Sequence, residues 1–292
     1  MGMAACFTLL AVVSGCGSGG ATDAGMPDAA PAEGWVAVSA GTSHTCALGA
    51  DGSVACWGSN EDGALEVPAG SFRAMDVGHG GYTCAITTTG EVTCWGSDLY
   101  FADGFPTGPL ASISAGWHIA CGLTSVPGLA RCWGLADLVA ATPAEPLRSV
   151  SVGQDAACGV RASDSTVVCW GEGVADPPGA GSRFTQVSVG PVHACGLLEE
   201  GDVVCWGDLN GLVAPPAGSF VYVEAANQFN CGLRVDGTIA CWGTDTFGLG
   251  YLDTPSGTFR TFGAGFWHGC GVRGDGTLTC WGSNDMGQAT PP

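Results

Sequence analysis

The chain has 292 residues, a formal charge of −19, and Arg as its only strongly basic residue type, eight in all. Proteins that grip duplex nucleic acid neutralise phosphates with a basic patch, so this balance excludes that class. Gly supplies 50 residues and Cys 16, while a hydrophobic fraction of 46% is enough to bury a core and excludes a disordered chain.

The first predicted element is a signal peptide over 1–15. Its apolar run, Phe7 to Val13, is far short of the roughly 20 residues that span a bilayer, but it suits a signal core. The run leads into Val13-Ser14-Gly15-Cys16, which resembles the lipobox of bacterial lipoproteins. That resemblance implies acylation of Cys16 and an outer-membrane or cell-surface location, with the lipid as the sole membrane contact. An ordinary cleaved signal would instead leave the protein periplasmic or secreted. Residues 16–34 are rich in Gly, Ala, Pro and Asp without periodicity and read as a flexible tether.

From Trp35 to the end the sequence repeats. Cys-Trp-Gly occurs at Cys56, Cys94, Cys132, Cys169, Cys205, Cys241 and Cys280, with spacings of 36–39 residues. Fixed self-similarity at this period marks a repeat architecture. Ten or eleven positions before each motif stands a second Cys: Cys46, Cys84, Cys121, Cys158, Cys195, Cys231 and Cys270. Setting aside Cys6 and Cys16, seven pairs remain.

Within a unit the register follows from the turn. A three-residue hairpin loop at Ala50-Asp51-Gly52, with Gly in the left-handed position, sets Cys46 opposite Cys56, Leu48 opposite Val54 and Thr45 opposite Trp57. Strand side chains alternate, so cystine and aliphatics take one face and Trp the other. A further short alternating run precedes each hairpin, making an antiparallel meander of three or four strands. Both faces are apolar, so each sheet must lie between neighbours. The expected fold is all-β, a seven-bladed propeller over 35–292, with an open stack as the alternative.

The pattern Ser-Ala-Gly-x-x-His-Thr-Cys-Ala-Leu…Asp-Gly-x-Val-x-Cys-Trp-Gly-Ser-Asn-x-x-Gly resembles the regulator-of-chromosome-condensation repeat family, whose members are seven-bladed propellers. The short period and the ending Asn60-Glu-Asp-Gly63…Val67-Pro68 resemble still more the secreted β-lactamase inhibitory propellers, which implies an enzyme inhibitor as an alternative function. The chromatin and nucleotide-exchange functions of the founding members do not carry over to an exported, acidic chain without a wedge-like insertion.

Three chemistries suit the cysteine pairs: disulfides, buried thiols and metal ligands. An oxidising compartment and directly opposed strand positions favour disulfides within repeats, and the spacings do not match structural zinc sites. His44, His193 and His268 occupy a slot that other repeats fill with Tyr82 and Phe229, which reads as packing or capping rather than metal binding. No nucleophile elbow, phosphate loop or dinucleotide fingerprint is present, so no catalytic residue, metal or cofactor is expected.

The repeats differ most in aromatic residues on one side of the ring. Tyr82, Trp117, Phe229, Phe266 and Trp267 fall in loops after first strands, and Tyr100, Phe101 and Phe247 in loops after third strands. This side is expected to bind a protein or glycan partner, with Asp98, Asp103, Asp208, Asp245 and Asp285 favouring cationic or sugar groups. The alternative is that some of these rings plug the central channel or cover blade edges. The hairpin side is expected to be uniform and polar, and the protein a non-catalytic monomer.

Overall fold

A computed structural model describes residues 34–97, 104–173, 176–179, 181–207 and 214–292. The signal segment, Cys16, most of the tether, Tyr100 and Phe101 therefore lie outside the described residues. Within them the chain forms seven three-stranded antiparallel sheets, each in the order in which its strands occur. In blade 1 the strands are β1 (Trp35–Ala40), β2 (His44–Gly49) and β3 (Val54–Gly58). The remaining blades span 72–96, 110–134, 147–171, 184–207, 220–243 and 259–282.

The hairpin register is the one the turn chemistry dictates. Cys46 faces Cys56, Leu48 faces Val54 and Thr45 faces Trp57, and the equivalent pairs recur in every blade. Each Cys pair stands at disulfide-bonding distance with Cα atoms 3.9–4.1 Å apart, the close approach of a non-hydrogen-bonded pair. In the chain-entropy account, closing a loop of about 11 residues contributes about 2–3 kcal/mol. The clip therefore offsets part of the entropy lost in ordering a Gly-rich blade.

The first strand of every blade carries a bulge after its first residue, which the alternating pattern does not reveal. The bulge turns a large apolar side chain into the core: Trp35, Phe72, Leu110, Leu147, Phe184, Phe220 and Phe259 are all buried. Phe72, Phe184 and Phe220 each meet the Trp of their own blade, with ring centroids 5.9–6.1 Å apart. Two connections also contain short helical turns, Glu61–Gly63 and α1 (Ala136–Ala140); the latter sinks Leu138 against Trp170.

Two rings of backbone contacts join the blades. At the hairpin end, the N–H of each first-strand opening residue donates to the left-handed hairpin residue of the preceding blade, from Phe72 to Gly52 around to Trp35 on Gly276, at 2.7–3.0 Å. Six of those acceptors are Gly and the seventh is Ser165, at φ 64°. At the other end the chain must pass so close to the next blade that a side chain does not fit. A Cβ on Gly116 would lie 2.0 Å from the Gly153 carbonyl oxygen, and one on Gly153 2.3 Å from that of Gly190.

Gly116→Ala should therefore destabilise the fold by about 1–3 kcal/mol through overpacking. Ser165→Gly exchanges left-handed strain for backbone entropy and should change stability by no more than about 1 kcal/mol, in the stabilising direction. Chemical denaturation with cystines intact checks both. Equal destabilisation by the two would overturn the close-approach account.

Candidate binding face and axial cavity

The first strands line an axial cavity of about 340 Å³. At one level of this wall, each side chain accepts a hydrogen bond from a backbone N–H of the following blade. Ser39 accepts from Val77 at 3.0 Å, Asp76 from Ala115 at 2.8 Å and Ser114 from Val152 at 3.1 Å. Ser151 accepts from Val189 at 3.0 Å, Ser188 from Ala225 at 2.9 Å, and Glu224 from Ala264. Blade 7 has Gly263 there, because a Cβ would lie 2.8 Å from Ser39 Cα.

Two members of this circle are carboxylates. Burial pushes Asp76 up to about 6, against the lowering effect of its bonds from Ser39, Ala115 and Val77. Burial pushes Glu224 further, to about 8, with the neighbouring charge of Asp76 adding to the effect. Tyr222 donates its hydroxyl to Glu224 at 2.5 Å.

The histidine slot joins blades. His44 Nε2 meets Thr83 Oγ1 at 3.0 Å, His193 Nε2 meets Asn230 Oδ1 at 2.7 Å, and His268 Nε2 meets Thr45 Oγ1 at 2.6 Å. In each case the partner is the residue opposite the next blade's Trp. Burial lowers His44 to about 4 and His268 to about 3, so both are neutral at ordinary pH.

That slot corrects two of the candidate binding residues. Tyr82 and Phe229 are fully buried. Tyr82 donates to the Ile119 carbonyl at 3.0 Å, and Phe229 stacks on Tyr251 at 4.6 Å. They open middle strands and point into the next blade, as the histidines do. Asp245 is also removed from the free acidic set, since its carboxylate accepts N–H groups of Leu249 and Gly250 and shapes its own loop.

The other described aromatics come together. Trp117 of blade 3 meets Phe266 of blade 7 edge to face at 5.6 Å, and His79 of blade 2 meets the same Phe266 at 6.1 Å. Blades 3 and 7 lie nearly opposite one another, so their rings touch only by crossing the axis. Trp117 and Phe266 thus bridge one mouth of the cavity. Phe266 continues to Trp267 at 4.9 Å and Trp267 to Phe247 at 5.4 Å, carrying the aromatic row outward onto the surface. Phe247 is 62% exposed.

Five of the eight exposed large hydrophobic side chains among the described residues lie in loops leaving this same side: Phe105, Leu135, Val192, Phe247 and Met286. Sequence reasoning missed Leu135, Val192 and Met286 because it followed rings alone. The hairpin side is not uniformly polar either, since Val126 and Val235 stand exposed on it.

The raised pKa of Glu224 has a stability consequence. Its protonated form favours the fold, a contribution complete below its ordinary value near 4.5 and lost as pH rises through about 8. The buried histidines act in the other window, costing stability as pH falls below 6.5 toward their lowered values. Between pH 6.5 and 8.5 the melting temperature should therefore fall, and Glu224→Gln should flatten that slope. Parallel profiles for the two proteins would refute it.

Three segments, 35–64, 184–211 and 259–288, match the model of the Regulator of chromosome condensation (RCC1) repeat. No curated protein matches the chain. Among solved structures, the chain resembles the CRINKLY WD40 ectodomain of the Arabidopsis thaliana receptor kinase ACR4, with 29% identity and a TM-score of 0.71 over 84% of this chain and 93% of that one. It resembles the ectodomain of the Physcomitrella patens receptor kinase CR4 at 28% identity, with a TM-score of 0.71 over 84% and 72% of the two chains. Prp20p from Saccharomyces cerevisiae, at 16% identity, 0.60 and 75% and 72% coverage, shares the fold. With seven sheets in sequential order and Cys-Trp-Gly in each, the chain is a seven-bladed propeller, and three of its seven repeats match the Regulator of chromosome condensation (RCC1) repeat.

Proposed function

We propose that the chain is an exported, lipid-anchored and non-catalytic binding module that presents the aromatic side of its ring to a protein or glycan at the cell envelope. The observation that carries this reading is the row from Phe266 through Trp267 to Phe247, set among further exposed apolar side chains on one side of a ring clipped at seven points. Exposed aromatics on a rigid scaffold bind at low entropic cost, and such residues dominate binding energy. The Cys pairs at bonding distance and the likeness to two plant ectodomains support export. Among the described residues no helix is long and apolar enough to cross a membrane, and Cys16 is the proposed anchor.

The immobilised protein should capture its partner from envelope extracts of its source cells. Phe247→Ala and Trp267→Ala should each weaken that capture by about tenfold or more, in keeping with an interface anchor. Val235→Ser on the hairpin side should not; Phe247→Ala should keep a melting temperature close to the parent, and Trp267→Ala, whose ring also packs on the core, is compared below its own melting transition. Capture lost with Val235→Ser but kept with the aromatic variants would reverse the assignment of the face.

The anchor is tested separately. Expressed with its own leader in a Gram-negative host, the protein should fractionate with membranes and Cys16→Ser should not. Identical fractionation and processing of both forms would remove lipidation.

A further inference from the structure

Formal charge is segregated along the axis of the ring. All eight Arg of the chain stand at the hairpin end, and the sequence contains no Lys. Arg73, Arg148 and Arg260 are second in first strands, while Arg161, Arg234 and Arg273 close middle strands. Arg131 is second in a third strand, and Arg183 directly precedes the first strand that opens with Phe184. Two carboxylates of this end are paired: Glu145 with Arg161 at 2.8 Å and Glu199 with Arg183 at 3.0 Å.

The loop end, which carries the aromatic row, has neither Lys nor Arg among its described residues. Glu61, Asp62, Asp137, Glu172 and Asp285 are exposed there, just beyond the ends of third strands. Asp155 of the same end has His118 beside it at 3.2 Å. Acidic and apolar side chains are interleaved: Leu135 shares its loop with Asp137, and Met286 follows Asp285. Solvated carboxylates alone would only keep this surface soluble. These share their face with exposed Phe247, Leu135 and Met286, and such apolar surface rimmed by polar groups marks an interaction site.

Given the loop face as the docking surface, the reading on which this inference rests, its charge selects among partners. An anionic glycan is repelled, and a neutral glycan draws nothing from the carboxylates. A polypeptide rich in Lys and Arg answers both features of the face. Its cations meet the carboxylates, its aliphatic stems cover apolar side chains, and a guanidinium stacks on an exposed ring. We propose that the loop face docks a basic segment of a partner protein, with Trp267 and Phe247 as the apolar anchor and the carboxylates of blades 1, 3, 4 and 7 steering it in. The confinement of every Arg to the opposite end keeps like charge away from that segment.

Calorimetric titration of the intact protein with hexa-arginine, at about 50 mM NaCl, tests this. One variant combines Asp62→Asn, Asp137→Asn and Asp285→Asn on the loop face, and another combines Glu91→Gln, Glu200→Gln and Asp202→Asn at the hairpin end; all six positions are exposed. The two variants have the same net charge, so attraction by the acidic chain as a whole affects them alike. The loop-face variant should bind hexa-arginine about tenfold more weakly than the parent, and the hairpin-end variant within about twofold of it. Phe247→Ala should weaken binding as well, and maltohexaose, an uncharged glycan, should give no heat. Equal weakening by the two combined variants overturns the proposal, as does binding of maltohexaose without binding of hexa-arginine, or no hexa-arginine binding at millimolar concentration. Capture from envelope extracts that Phe247→Ala weakens, but that the loop-face variant and about 500 mM NaCl leave unchanged, would overturn the basic partner and keep the face. Capture indifferent to Phe247→Ala would instead remove the face itself.

Discussion

Each blade has two apolar faces and only three strands, and no blade can bury both faces itself. The burial that stabilises any one sheet is supplied by its neighbours, so the fold depends on the ring closing, on blade 7 meeting blade 1 as closely as any other pair meets. No strand is exchanged across that seam, because every sheet is built from one continuous repeat. The closure instead repeats the joints used elsewhere: Trp35 N–H on the Gly276 carbonyl, His268 on Thr45, and Phe266 N–H on the Gly41 carbonyl. The C-terminal segment finishes it. The Gln288 carbonyl accepts from Trp57 Nε1 at 2.8 Å and from Thr45 Oγ1 at 2.9 Å, the service that Ala64 performs for Trp95 and Tyr251 for Trp281.

Closing seven blades around one axis crowds the inner edge. Small residues answer the crowding where strands turn, and the circle of side-chain acceptors satisfies N–H groups that would otherwise face the cavity unpaired. The same crowding makes Asp76 and Glu224 conspicuous. They stand at the level that four other blades fill with serine, and burial raises the pKa of both.

The axial cavity and the exposed aromatic row are physically distinct but adjoin. The cavity is polar and acidic, and its mouth is bridged by Trp117 and Phe266. The same row of rings then runs outward to Phe247, where it becomes surface. Trp117 and Phe266 therefore cross the axis, while Trp267 and Phe247 lie outward of them, where the proposed partner would dock. Position in the repeat, not ring chemistry, decides which of the loop aromatics reach water: Tyr82 and Phe229 are buried, and Phe247 is exposed.

Much was legible before any coordinates. The Cys-Trp-Gly period fixed the number of blades, and the hairpin turn fixed the register, since a period-2 side-chain pattern anchored by a left-handed Gly leaves no freedom to slip. The slot shared by histidine, Tyr82 and Phe229 was visible as a packing position, although two of its members were also assigned to the binding face. Other features needed the closed ring. The bulge that buries Phe72 and Phe184 breaks the very alternation by which strands are read. The contact of Trp117 with Phe266 and the seam at Gln288 link residues far apart in sequence. Local propensity and spacing determine what each repeat becomes. Only the curvature of seven packed blades decides which side chains meet across the axis, because that meeting is set by inter-blade geometry that no single repeat encodes.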